Sequence, residues 1–104
     1  MNQNDLNTLL ADPSALPRST TILRENGLRC LVLHLKAGEQ IPEHQARGPI
    51  SVHCLRGEVR FSVGEEYVDL RPGLLITVPA SAPHALVANE ESVLLVTMAE
   101  PPQA

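Results

Sequence analysis

The sequence predicts an all-β fold, either a small barrel or a sandwich of two sheets. Short segments of alternating apolar and polar residues follow one another at close intervals, with glycine-containing turns between them. No stretch combines the length and the period of a long amphipathic helix. With 104 residues, the chain has the size of one domain with a single hydrophobic core.

Eight or so short strands are expected. Residues 50–55 and 59–63 alternate on either side of Gly57, which predicts an antiparallel hairpin with one buried face. Asn26-Gly27 is a preferred two-residue turn and predicts a second hairpin. We expect the segment 74–78, which is almost continuously apolar, to be buried on both faces. The other predicted strands are 20–23, 28–35, 41–44, 67–70, 84–87 and 93–98.

The predicted barrel spans residues 20–100, between an N-terminal arm at 1–19 and a C-terminal tail at 101–104. In the arm, Asp5 could cap a short helix that Asp12-Pro13 would end. The arm has no basic segment followed by an apolar one, so we expect no signal peptide. Two cysteines without a CxxC pair fit buried, reduced thiols and a cytoplasmic protein.

Charge and composition limit the partners. The net charge is −4 and the chain has no basic run, which argues against nucleic acid and against a membrane surface as partners. No apolar run is long enough to cross a bilayer. Aromatic residues make up only 2 % of the chain, so recognition by ring stacking has little to work with. A small molecule remains the expected partner.

Two half-motifs resemble those of the cupin superfamily, whose small members are RmlC-like jelly-roll barrels (double-stranded β-helices). The matching positions are Gly38, His44 and Gly57 in the first motif and Gly73, Pro79 and His84 in the second. Ser81 and Ala88 replace a glycine and an asparagine of the second motif. The resemblance covers residues 28–98 and implies a single-domain barrel with an interior pocket, and a homodimer.

The metal-binding part of the motif is degenerate. Metal-binding cupins hold a divalent ion with three histidines and a glutamate. Here Ala46 stands at the second histidine position and Ile50 at the glutamate position. The resemblance therefore leaves His44 and His84 as candidate ligands for Zn, Fe, Ni or Mn.

A first-row metal normally needs at least one more protein ligand than this pair supplies. Cys54 shares a strand face with Ile50 and Val52, so it could point inward and supply a thiolate. His53 has the opposite parity and is expected to face away from the pocket. A β-bulge within residues 48–51 would reverse this and bring His53 inside.

We predict a binding module whose pocket holds a small molecule. An anion is one kind of ligand that this prediction includes. The predicted pocket residues are His44, Arg47, Ile50, Val52 and His84. The two imidazoles could hydrogen-bond a ligand or transfer a proton, and Arg47 could clamp a carboxylate or phosphate.

Two other functions remain open. By resemblance, the chain could be a metal-dependent enzyme, dioxygenase- or isomerase-like, with an atypical ligand set. It could also be a structural protein with an empty barrel. In each case we expect a homodimer, since isologous dimers are the commonest assemblies and the apolar strands 20–23 and 28–35 could cover a partner.

Overall fold

A computed structural model describes residues 1–100, and the predicted tail at 101–104 lies outside the described residues. In the described range, the α-helix α1 (Leu6–Ala11) and a 3-10 turn (Pro13–Ala15) precede nine β-strands. The strands are β1 Ser19–Glu25, β2 Leu28–Leu35, β3 Gln40–His44, β4 Ile50–Arg56, β5 Val59–Val63, β6 Glu66–Leu70, β7 Leu75–Val78, β8 His84–Ala88 and β9 Ser92–Ala99. No helix in this range has the length and apolar character that crossing a bilayer requires.

Two antiparallel sheets enclose the core. The five-stranded sheet has the order β1-β2-β9-β4-β7, and the four-stranded sheet has the order β3-β8-β5-β6. The chain crosses between the sheets repeatedly, as in a jelly roll. The core between the sheets includes the fully buried side chains Leu35, Val52, Val59, Phe61, Leu70 and Leu94. The predicted all-β, single-domain jelly-roll fold is confirmed.

The hairpin prediction is right at one turn and wrong at the other. Glu25 pairs with Leu28 across the two-residue turn Asn26-Gly27, and Gly27 has a positive φ of 83°, which glycine adopts without strain. Strands β4 and β5, by contrast, do not pair with each other, because Gly57 carries the chain from one sheet to the other. Alternation identifies the buried face of a strand but not its partner strand.

Gly57 is required where the chain changes sheets. Its φ is 85°, in the left-handed region that favours glycine. A Cβ atom at this position would overlap the Glu91 carbonyl oxygen and the Ser92 hydroxyl, and it would lie 2.7 Å from the Ser92 Cα. The turn between β8 and β9 therefore packs directly against the backbone of this crossing.

The expectation for residues 74–78 is wrong. Strand β7 lies at the edge of the five-stranded sheet, and among the described strands it pairs with β4 alone. Leu74 is 43 % exposed and Leu75 is 60 % exposed, whereas Val78 is buried. A continuous apolar run is typical of a strand covered on both faces, but it does not exclude an edge position with an uncovered outer face.

The N-terminal arm is attached to the outer face of the five-stranded sheet. The Asp5 carboxylate caps α1 by accepting a hydrogen bond from the Asn7 amide (3.0 Å). Further along the arm, the Leu16 carbonyl lies 3.2 Å from Nδ1 of His34, and a Glu91 carboxylate oxygen lies 3.0 Å from Nε2. His34 projects to the outer face and is nevertheless buried. The arm therefore covers this part of the sheet.

Candidate functional site

The candidate site is built around two histidines on neighbouring strands. His44, at the end of β3, pairs directly with His84, at the start of β8. Their ring centroids are 4.2 Å apart and the ring planes are inclined at 65°, an edge-to-face arrangement. The ring of Phe61 is nearly parallel to that of His84 (12°) at a centroid distance of 5.7 Å. His84 is buried, whereas His44 is exposed, so the pair lies at the open end of the barrel.

A β-bulge turns His44 inward. Ile41 pairs with Leu86 and His44 pairs with His84, so three steps along β3 match two steps along β8. Strict alternation from Ile41, which faces the interior, would direct Glu43 inward and His44 outward. The extra residue of the bulge reverses the parity. Pro42 lies within the bulge, a position where the missing amide hydrogen disturbs no ladder bond.

Both histidines have the same tautomer. Nδ1 of His44 lies 3.0 Å from the Pro42 carbonyl oxygen, and Nδ1 of His84 lies 2.9 Å from the Ala82 carbonyl oxygen. A carbonyl oxygen only accepts hydrogen bonds, so each Nδ1 carries the proton and donates it. In a neutral ring of this tautomer, Nε2 is a hydrogen-bond acceptor.

The two Nε2 atoms have no hydrogen-bond partner among residues 1–100. Among the described residues that are not exposed, Thr20 Oγ1 is the only fully sealed side-chain nitrogen or oxygen without a partner. Nε2 of His84 is therefore not sealed in protein, although His84 as a residue is buried, and His44 is itself exposed. Both Nε2 atoms are open to a ligand.

A cavity of about 200 Å³ adjoins the histidine pair. Its wall is mainly apolar, with Leu31, Leu33, Ile41, Phe61, Leu86, Val96 and Met98 among the lining residues. Besides the histidines, the polar residues of the wall are Ser19 and Gln45. The part of the wall formed by the described residues contains no Asp, Glu, Lys or Arg.

Four of the five predicted pocket residues border this cavity: His44, Ile50, Val52 and His84. Arg47 does not. Its exposed side chain lines a separate groove of about 430 Å³, whose other lining residues include Glu100. The groove adjoins the cavity, since Gln45, Ala46 and Met98 border both spaces.

The two candidates for a third metal ligand lie away from the histidine pair. His53 is half-buried on the outer face of its sheet and pairs with Leu75 and Leu95. Cys54 faces inward but is fully buried outside the cavity wall, with its Sγ atom 3.5 Å from the Arg56 carbonyl oxygen. Burial raises the pKa of the Cys54 thiol, which disfavours the thiolate that binds metals.

The donor set does not fit a three- or four-ligand metal site. Among residues 1–100, no group of three His, Cys, Asp or Glu side chains is placed to hold a metal ion. His44 and His84 have apolar neighbours where further ligands would have to stand, namely Ala46 and Ile50. Neither His53 nor Cys54 completes the set.

Two polar residues of the cavity wall were not singled out from the sequence. Gln45 and Ser19 border the cavity. The only sequence features that could have pointed to them are that Gln45 follows His44 and that Ser19 begins a strand. Ser81 keeps a left-handed backbone (φ 66°), and its amide donates to the Ala46 carbonyl oxygen (2.8 Å). This bond joins the loop before β8 to the loop after β3, and the signal for it was the glycine that the family motif has at this position.

Fold and site together define a small jelly-roll barrel with an apolar interior pocket and a pair of histidines at its opening. The sequence profile of the cupin domain matches residues 31–99, which hold all of β4 to β9. The chain therefore belongs to the cupin family. No curated protein matches the chain in sequence.

Solved structures agree with this assignment. The protein TT1209 from Thermus thermophilus is 28 % identical, with a TM-score of 0.76 over 97 % of this chain and 100 % of that one. A conserved protein of unknown function from Streptococcus pyogenes is 29 % identical, with a TM-score of 0.75 over 82 % of this chain and 75 % of that one. A cupin-2 domain protein from Shewanella frigidimarina is 13 % identical (TM-score 0.77, covering 93 % and 94 %) and supports the fold alone.

Proposed function

We propose that this chain binds a small molecule in the barrel cavity and holds its polar end at His44 and His84. The observation that carries the proposal is the pair of open Nε2 atoms beside a cavity that is otherwise almost entirely apolar. Ligand pockets commonly combine an apolar wall with a few polar groups that orient the ligand. Apolar contact supplies affinity in such a pocket, and the histidines supply orientation.

The cavity sets the size of the ligand. An apolar cavity of about 150 Å³ is known to bind benzene. The volume of about 200 Å³ here suits a ring of that size with one or two further atoms. The prediction of an anionic ligand has weaker support, because it depended on Arg47, which borders a different groove.

The proposal is tested by titrating the protein with toluene and following amide chemical shifts by NMR. We expect saturable shifts at cavity residues such as Val52 and Leu86. The variant Ala46→Trp, which places a large side chain at the half-exposed edge of the cavity, should abolish them. His53→Trp, on the outer face, is the matched control and should bind as the wild type does. Absence of saturable shifts in the wild type with toluene, phenol, benzamide and benzoate alike would end the proposal.

A metal-dependent enzyme is the second candidate, supported by the two open Nε2 atoms alone. It requires water or other groups in place of the missing protein ligands. Metal content after loading untagged protein with Zn, Fe, Ni or Mn is the test, with His44→Ala and His84→Ala beside wild type and His53→Ala as control. About one ion per chain, lost in both site variants only, would favour this candidate over the binding module.

We further propose a homodimer. The outer face of the five-stranded sheet leaves Leu55, Leu75 and Leu95 half-buried or exposed, whereas the arm covers the part of β2 near His34. A second copy could cover this apolar surface. Gel filtration with light scattering tests the proposal, and a mass near 11.3 kDa would contradict it. The two free cysteines fit a reducing compartment, for which we propose the cytoplasm.

A further inference from the structure

We infer that the ligand of this cavity is uncharged and offers a hydrogen-bond donor to the histidine pair. The inference rests on the proposed function and adds the chemical class of the ligand: a compact apolar body that carries a hydroxyl or an amide N–H group. It therefore limits the expected ligands to neutral molecules that donate a hydrogen bond, and it excludes carboxylates and other anions.

The donor requirement follows from the backbone around the histidines. Each Nδ1 donates to the carbonyl oxygen of the residue two positions earlier, Pro42 for His44 and Ala82 for His84. Both rings in their neutral form therefore present a lone pair, and not an N–H group, to the cavity. Two adjacent acceptors are satisfied by a ligand that donates and are left unsatisfied by one that only accepts.

The absence of charge follows from the wall of the cavity. No Lys, Arg, Asp or Glu among residues 1–100 borders it, and Arg47 lines the neighbouring groove. A carboxylate would lose its hydration against an apolar wall and would face two lone pairs. A cation would lie against the same apolar wall without a counter-charge. Both arrangements are unfavourable compared with a neutral donor.

Two pairs of probes of matched shape test the inference at pH 8. Phenol has a hydrogen-bond donor that toluene lacks. Benzamide is neutral and has a donor, whereas benzoate is an anion and has none. Dissociation constants come from NMR titration. We expect phenol to bind at least as tightly as toluene, and benzamide to bind at least about tenfold more tightly than benzoate.

His44→Leu and His84→Leu identify the groups responsible. In these variants, the preference for phenol over toluene should fall by about tenfold, while toluene still binds. His53→Leu, on the outer face, should leave the preference unchanged. His44 is exposed, so its replacement keeps the test available even where the His84 variant folds poorly.

The outcomes separate the two claims. If toluene binds in the cavity but phenol binds more weakly, or benzoate binds more tightly than benzamide, the inference is overturned while the binding module stands. An unchanged phenol-to-toluene ratio in His44→Leu also overturns it. If none of the four probes shifts cavity residues, the proposed function fails first, and the inference fails with it.

Discussion

His34 and Glu91 are joined on the outer face of the barrel by a contact of 3.0 Å between Nε2 and a carboxylate oxygen. On the other side of the same ring, Nδ1 lies 3.2 Å from the Leu16 carbonyl oxygen. Leu16 belongs to the N-terminal arm and Glu91 to the β8–β9 turn, while His34 itself lies on strand β2. One buried histidine ring thus links these three parts of the chain.

Replacing His34 should loosen the arm. His34→Leu roughly keeps the volume but removes both polar contacts of the ring, and we expect a loss of about 1–3 kcal/mol in the free energy of unfolding. Urea denaturation measures the loss. Glu91→Gln is the control: the carboxylate is 49 % exposed and its amide replacement can still accept, so we expect a loss below about 1 kcal/mol. A His34→Leu variant as stable as the wild type would contradict the role of the ring.

Gly57→Ala should be among the most destabilising single changes. The added methyl group would meet the Glu91 carbonyl oxygen and the Ser92 side chain, in addition to the strain of a left-handed backbone. Gly64→Ala is a matched control, because Gly64 also has a positive φ (58°) but no atom lies within 4 Å of its added Cβ. We expect about 1–2 kcal/mol of destabilisation for Gly64→Ala and at least twice as much for Gly57→Ala. Equal denaturant midpoints would show that the crowding at Gly57 is relieved.

Ser81 should tolerate glycine better than a branched residue. A left-handed conformation costs a residue with a side chain about 1–2 kcal/mol. Glycine removes this cost, but the greater conformational entropy of the unfolded chain offsets about 0.4–1 kcal/mol of it, so Ser81→Gly should gain between about 0 and 1.6 kcal/mol. Ser81→Val should lose more than about 1 kcal/mol. Thermal and urea unfolding test the order, and Ser81→Val at or above wild-type stability would refute it.

The raised pKa of the Cys54 thiol predicts a loss of stability at alkaline pH. Burial raises the pKa of the Cys54 thiol above its ordinary value of 9.0. The unfolded chain therefore ionises at lower pH than the folded chain, and the contribution of the neutral thiol is fully present below about pH 9. It is lost as the pH rises towards the folded pKa. Wild type should lose stability relative to Cys54→Val over this range, as urea denaturation at several pH values will show. A difference independent of pH would contradict the shift.

The fold was accessible from the sequence because its main signals are local. The alternation at Ile50, Val52 and Cys54 gives the buried face of β4, and it puts His53 on the other face without any knowledge of the partner strands. The turn at Asn26-Gly27 is equally local. Strand partners are not: the same alternation suggested a β4–β5 hairpin, whereas the two strands lie in different sheets.

The site was less accessible because it depends on features without a sequence pattern of their own. Nothing in the alternation of β3 announces the bulge that turns His44 inward. The position of Arg47 depends on the path of a loop, and that path takes its side chain away from the cavity. The exposure of Leu75 depends on which strand ends its sheet. Each is set by tertiary contacts that a single strand does not encode.

Because of the bulge, the site also depends on the number of residues between Ile41 and His44. Deleting Pro42 or Glu43 would restore regular alternation, and His44 would then project to the surface while every histidine codon remained in the gene. Two family members can thus share both histidines and differ in whether the pair exists. When relatives are compared, the number of residues between Ile41 and His44 is therefore as informative as the histidines themselves.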